Sequence, residues 1–429
     1  MKKTEEAFED CINSQKATLE EAMTPCMKMK PEDYIIEDGV LTKYVGKEKQ
    51  VTIPSNVTII GENAFAEAYQ VEVIIIPDDV KEIAIRAMGN NDNCSSAFER
   101  TIKLQLKKLV IGNGVTKIGE GAFAYCSKLK EVVFGNNLKE VGKEAFLGCY
   151  ELQRIDLSNT AITNIQEKAF SMFVSSHNVQ GLYLSPKVET IGERAFSGII
   201  LDVVRLPKTV KRVERSAFYG TSELIVYDTI DPYAVEASKW TADKWNGSIN
   251  SPLSCAMLNV WEGYIECQGN TDWCDYHITV LDAETDHIKY RIFCDSKEGE
   301  QYRAMIFSAF GKHASFTFEK YDAYFMKIRT ILGKTEMAFC RIQYPMGLVE
   351  KYRFYYESYL ERCMYIEQSA KCIAEMIADM DAVDRLEILD KYKAIDEHNL
   401  AWISKIMEQK HAKRCLNYLS QNFSVRSGM

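Results

Sequence analysis

The residue types that could do chemistry are thinly spread through this sequence. Cysteine outnumbers histidine, 13 against 6. The two approach ligand spacing at one place, Cys274 and His277, with Cys267 and Cys294 in the neighbourhood. A tetrahedral zinc site needs two such pairs at compatible spacing, and one pair is present. Buried thiols acting as small hydrophobes are the better reading, and no metal ligand or cofactor is expected. Asp282, Glu284 and Asp286 alternate in a polar turn but fall short of the ligand set and glycine of a calcium loop, so a solvated hairpin tip is expected. The sequence contains no phosphate-binding G-x-x-x-x-G-K-[ST], no G-x-S-x-G and no H-E-x-x-H. His177, His277, His287, His313, His398 and His411 are scattered, so a nucleophile–base pair would have to be assembled in space from unmarked residues. The expectation is a protein without catalytic residues. An enzyme reading would place its site in residues 230–345, where Trp261, Trp273, Cys274 and His277 gather.

The elements that position these residues must come from a chain of 429 residues with 26% charged and 46% hydrophobic side chains, an ordinary globular balance. Its formal charge of −9 argues against a partner rich in phosphate, and no nucleic acid is expected. No run of eighteen apolar residues exists to span a bilayer, so no membrane insertion is expected. Lys2 and Lys3 are followed by Glu5, Glu6, Glu9 and Asp10 where the apolar part of a signal peptide would lie. The expected location is therefore cytoplasmic, with the cell surface as the alternative.

Self-similarity is the strongest feature of the chain. A phrase V-x-x-I-G-x-x-A-F recurs at 57–65, 115–123, 138–146, 162–170, 188–196 and 210–218, with a degenerate copy at 80–88 ending in Met88. The closing positions are 23, 35, 23, 24, 26 and 22 residues apart, and the surplus of the second interval falls within 89–105. A second element of the form L-x-x-V-x-F follows each phrase, as in Leu129, Val132 and Phe134 or Leu201, Val204 and Leu206. Its last two apolar positions have strand period, and Pro54, Pro77 and Pro207 stand at the stop. A unit of this size cannot bury its own apolar side, so neighbours must stack with the Ala-Phe pairs forming a continuous interior. Cys126 and Cys149 fall at one equivalent position and are expected in that interior.

The combined pattern resembles the BspA-like (Treponema pallidum type) leucine-rich repeat family over nearly half the chain. The resemblance implies a curved solenoid whose L-x-x-I-x-L strands line a concave face, in proteins that commonly serve adhesion or binding. It implies that alternate strand residues face solvent there: Val73, Ile75, Lys108, Val110, Glu131, Val133, Arg154, Asp156, Gly181, Tyr183, Val203 and Arg205. These, glycine aside, form the candidate partner-binding strip.

Phase is lost after Phe218, and all five tryptophans lie outside the repeats. Strand-like runs at 277–281 and 288–293 flank a short turn and read as a hairpin. Helical period follows, with helices expected at 318–332, 334–344, 348–368, 370–380, 382–392, 396–409 and 412–421. Tyr352, Tyr355, Tyr356 and Tyr359 share one helical face, expected to pack on the β segment. The segment 223–423 looks like the C-terminal extension of BspA-like proteins of gut Firmicutes, and the 415–419 stretch is similar to the outer helix of an ankyrin unit.

The expected fold class is α+β: a helical cap at 1–30, a leucine-rich-repeat β-solenoid at 31–230, a small β-rich module at 231–296 and an α-helical, ankyrin-like array at 297–429. The expected function is non-catalytic protein–protein interaction through the concave face, with a protein partner of unknown identity. A surface adhesin exported without a visible signal peptide is the other alternative.

Overall fold

In the computed structural model the described residues are 30–88, 105–172, 178–214, 217–218, 220–227, 276–294 and 318–423. They fall into two compact units, the first ending its described part at Tyr227 and the second opening at Tyr276. Of the expected cap at 1–30 all but residue 30, and of the expected β-rich module residues 231–275, lie outside the described residues.

The first unit opens with an antiparallel hairpin, β1 (Tyr34–Glu37) and β2 (Val40–Tyr44). Asp38 and Gly39 both have positive φ at its turn, the backbone that an Asp-Gly pair tolerates best. From β2 onward a parallel ladder runs through the V-x-x-I-G phrases. It comprises β4 (Ile59–Ile60), β6 (Glu82–Ile83), β8 (Lys117–Ile118), β10 (Glu140–Val141), β12 (Asn164–Ile165), β14 (Thr190–Ile191) and β16 (Arg212–Val213). The register places Leu41, Ile60, Ile83, Ile118, Val141, Ile165, Ile191 and Val213 in one buried row. Strand period then turns the neighbouring row outward: Glu82, Lys117, Glu140, Asn164, Thr190 and Arg212.

The L-x-x-V-x-F elements form the opposite wall. β3 (Gln50–Thr52), β5 (Val73–Ile76), β7 (Lys108–Ile111) and β9 (Glu131–Val133) make one parallel sheet. β11 (Ile155–Asp156) pairs with β13 (Leu182–Tyr183), and β15 (Leu201–Arg205) pairs with β17 (Thr221–Tyr227).

Between the walls stands the predicted column of rings. Phe123, Phe146, Phe170, Phe196 and Phe218 stack with centroids 5.1–5.5 Å apart and planes within 14°. Phe134 meets Phe146 and Phe170 edge-on, and Tyr44 stacks on Phe65 at the first end. The spacing is set by backbone hydrogen bonds from one repeat to the next, Phe123 N to Ala145 O, Phe146 N to Ala169 O and Phe170 N to Ala195 O, each 2.8 Å. These bonds need a chain reversal two residues before each Phe. Asn63, Gly121, Glu144, Lys168 and Arg194, with Arg86 before Met88, accordingly all have φ between 50° and 60°. Cys126 and Cys149 are buried thiols, as expected of their repeat position, and burial pushes the Cys126 thiol up to about 12.

The second unit opens with the expected hairpin, β18 (Tyr276–Leu281) paired antiparallel with β19 (Ile288–Cys294). Among the described residues seven helices follow: α1 (Phe318–Tyr324), α2 (Ile331–Gln343), α3 (Glu350–Leu360), α4 (Glu367–Asp379), α5 (Val383–Lys391), α6 (Leu400–Gln409) and α7 (Lys413–Phe423). Two boundaries differ from expectation. Gly333 does not break α2, because the helix starts before it, after extended Thr330, and buries the glycine. The helix expected at 348–368 ends at Leu360, and the next, expected from 370, begins at Glu367 after Ile366 adopts an extended backbone. Asp381 and His411, both at positive φ, close α4 and α6, and the residues that follow donate back to Ile377 O and Met407 O. The α4–α5 and α6–α7 pairs are thus helical hairpins with the same turn.

Candidate functional site

The strip predicted from the repeats divides into two halves. In β5, β7 and β9 the residues pointing away from the ring column are Val73 and Ile75, Lys108 and Val110, and Glu131 and Val133. Ile75, Val110 and Val133 lie side by side in the ladder and are only 5%, 1% and 4% exposed, forming with Val73 an apolar cluster separate from the rings. These three are therefore not the solvent-facing residues expected. Lys108 and Glu131 beside them form an ion pair of 3.0 Å.

The other half is open. Tyr183 and Val203 are 39% and 50% exposed, and Arg154 and Arg205 accompany them. The Arg154 guanidinium lies 4.4 Å from the Tyr183 ring centroid, and Arg205 stands over the ring of Tyr227 and donates to its hydroxyl. Lys208 approaches the same ring at 4.9 Å. Such stacking holds planar cations at the surface in fixed orientation. Asp156 departs from expectation, being buried. Its carboxylate accepts from Arg154 Nη2 at 2.9 Å and from the Ser158 amide and hydroxyl at 3.1 and 2.6 Å, so it ties off the end of β11.

The second unit holds two buried polar networks that the sequence gave no motif for. In the first, Arg341 on α2 donates through Nε and Nη2 to both oxygens of Asp322 on α1, at 2.7 and 3.0 Å. Tyr356 of α3 donates to Asp322 Oδ1 at 2.8 Å, and the remaining Arg341 protons reach the Tyr344 and Met346 carbonyls. Burial pushes the Asp322 carboxyl up, and it also opposes the charge on Arg341, whose pKa the Asp322 contacts nevertheless raise. The bidentate geometry is that of an ionised pair. Tyr359 bonds Thr335 at 2.7 Å, and the ring of Tyr356 lies 4.4 Å from that of Phe325. The tyrosine face of α3 is therefore packed, but on α1, α2 and the turn after α1 instead of the β segment that was expected.

In the second network Glu336 of α2 accepts from Arg385 of α5 at 2.8 and 2.7 Å, and His277 Nε2 of β18 lies 3.2 Å from its Oε2. Burial would raise the Glu336 carboxyl, but the His277 bond and the Arg385 charge outweigh it and hold it at about 2. The donor atoms of His277, Glu336 and Cys340 lie within 4.8 Å of one another, the group of three metal-ligating side chains among the described residues. Cys274 and Cys267, which the sequence placed beside His277, lie outside the described residues, as do Trp261 and Trp273. The acidic turn is as expected: Asp282 Oδ1 accepts from the Glu284 and Thr285 amides and the Thr285 hydroxyl.

Two parallel ladders with stacked rings between them, one ring per turn except at Met88, form a stack of like repeats. More narrowly, residues 36–102 and 94–225 match the model of the BspA type leucine rich repeat region in six copies. Among solved structures the chain is similar to a leucine rich cell surface protein from Faecalibacterium prausnitzii A2-165, with 27% identity over 49% of this chain and 57% of that one, TM-score 0.37. It is similar also to a leucine-rich repeat protein from Bacteroides ovatus ATCC 8483, with 21% identity over 47% of this chain and 63% of that one, TM-score 0.28. The T. pallidum leucine rich repeat protein matches at 19% identity over 46% of this chain and 71% of that one, TM-score 0.25. The chain thus spans less than two thirds of the first two. No curated protein matches it. Among the described residues no helix is long and apolar enough to cross a membrane.

Proposed function

We propose that the protein is a non-catalytic binding protein that engages a protein partner through the open half of the strip, on the strand face that is concave in a leucine-rich-repeat solenoid. Repeats of this class typically mediate protein–protein interaction or adhesion. The observation that carries the reading for this chain is the exposure of Arg154 just before β11, Tyr183 on β13, and Val203 and Arg205 on β15. The outward row of the other ladder, Glu82, Lys117, Glu140, Asn164, Thr190 and Arg212, carries no aromatic ring. Tyrosine and arginine are the residue types that concentrate binding energy, because each offers a large rigid surface with polar tips. The charge of −9 over the whole chain points away from nucleic acid and towards a protein surface.

The test compares two faces of the same unit. Capture of partners by the full chain is measured by pull-down and mass spectrometry for the wild type, for a Tyr183→Ser, Val203→Glu, Arg205→Glu variant, and for a Lys117→Glu, Arg212→Glu control. Arg154 is left intact because buried Asp156 depends on it. The partner should be retained by the control and lost by the strip variant. Equal capture by all three would refute the reading.

A further inference from the structure

Two elements of the second unit bring three kinds of metal-ligating atom to one buried point. His277 stands on β18, while Glu336 and Cys340 are four residues apart on α2 and so share one face of that helix. The histidine and carboxylate are already at 3.2 Å, and the thiol completes a group within 4.8 Å. We propose that His277, Glu336 and Cys340 form a binding site for a zinc-class divalent cation that fastens the β18–β19 hairpin to α2.

The donor set selects the metal. One imidazole nitrogen, one carboxylate oxygen and one sulfur suit a borderline cation such as Zn2+ or Co2+, whereas Ca2+ and Mg2+ require oxygen throughout. Metal–ligand bonds of about 2.0–2.3 Å in a tetrahedron set the donors roughly 3.3–3.6 Å apart. The His277–Glu336 pair stands at that edge. Closing the longest separation asks for a movement of about 1 Å, which a rotation of one side chain supplies. Three protein donors leave a fourth position for water, as in open zinc sites.

Arg385 tests the idea from the other side, because it brings a positive charge to the same carboxylate. A carboxylate has about four lone-pair positions, and the guanidinium uses two of them. Of the remaining two, the one on Oε2 faces His277. Arg385 then acts as the outer partner that orients a liganding carboxylate, a role commonly filled by a hydrogen-bonded cation or donor next to a metal site. The charge balance is also contained. The thiol of Cys340 loses its proton as the dication enters, so the site gains one charge and releases one proton.

The full chain, stripped with chelator and kept reduced, is titrated with Co2+, which reports a thiolate ligand through its charge-transfer absorption. The expected result is a band saturating at one equivalent, abolished by Zn2+, absent in Cys340→Ser and in His277→Ala, and unchanged in Cys363→Ser. Cys363 is a buried thiol that bonds the Leu360 carbonyl and is no part of the group. No band in the wild type, or a band that Cys340→Ser leaves intact, overturns the proposal. Wild-type titration carries the decision even if one variant fails to fold.

Discussion

Truncating one ring in the column, Phe146→Ala, examines the physical basis of the first unit directly. Phe146 is fully buried, with Phe123 stacked at 5.3 Å on one side, Phe170 at 5.1 Å on the other and Phe134 edge-on at 5.7 Å. Loss of a buried phenylalanine costs about 3–5 kcal/mol in transfer and cavity terms. Each aromatic pair adds roughly 0.5–1.5 kcal/mol beyond area, and three pairs are lost together. These contributions overlap, so a total of about 4–6 kcal/mol is expected. A repeat stack is stabilised by each unit and by its contacts with its two neighbours, so one interior ring weakens two interfaces at once. Tyr44→Ala, at the first end, loses two ring contacts, with Phe65 and Tyr34, in place of three and should cost less. Phe146→Leu keeps most of the volume, loses the ring contacts and should cost about 1–2 kcal/mol. Native-state hydrogen exchange on the full chain reads the opening free energy segment by segment. Protection should fall most in the repeats on both sides of Phe146 and stay at wild-type level in α2 to α7. A loss below about 1 kcal/mol, or one spread evenly over the chain, would refute the account of the column as the source of stability.

Two further outcomes follow from particular atoms. A Cβ on Gly119 would stand 2.5 Å from the Ile85 nitrogen and 2.6 Å from the Ala84 carbonyl carbon, both main chain, so Gly119→Ala should destabilise by about 1–3 kcal/mol in urea unfolding while Gln166→Ala at the equivalent repeat position stays near neutral. Glu336, held at about 2 against its ordinary 4.5, contributes stability that is fully present above pH 4.5 and lost as pH falls towards 2. That contribution is on the order of 3 kcal/mol, so helical unfolding followed in chelator should show an acid limb that Glu336→Gln removes; an identical limb in the variant would sink the assignment.

The repeat stack was legible because its information is local and repeated. The V-x-x-I-G-x-x-A-F phrase carries the buried ladder row, the reversal and the ring in nine residues, and every copy restates it. The expected hairpin at 277–293 was legible for the same reason, since alternation and a polar turn sit in one window. Asp38-Gly39 is a turn signal from which the opening hairpin could have been read, though no expectation was drawn from it. Strand period told which residues leave the ring column but not whether that outer face is covered. Ile75, Val110 and Val133 therefore read like Val203, although the first three are buried and the last is open. The buried networks were illegible because their partners are 19, 49 and 59 residues apart. One trace did exist: Glu336, Met337, Cys340 and Arg341 have the spacing of a single helical face, and charges on an apolar face must be paired.

The two units handle charge in opposite ways, and the difference bears on what each contributes. In the repeats most charges, buried Asp156 aside, remain at the surface, as in Glu72 between Lys49 and Lys107, where screening by water leaves little net stabilisation. In the helical unit Asp322 with Arg341 and Glu336 with Arg385 are buried, and taking such charges from water costs several kcal/mol before their attraction repays it. A well-packed apolar replacement of a whole buried pair is commonly neutral or stabilising, whereas loss of one partner costs about 3–5 kcal/mol. The networks therefore fix which elements meet more than they add stability. Asp322 admits one partner on α2 and one on α3, and Glu336 one on β18 and one on α5. Every helix from α1 to α5 except α4 is thus specified by a paired charge, which is what a unit without a repeating phrase needs in order to hold a single arrangement.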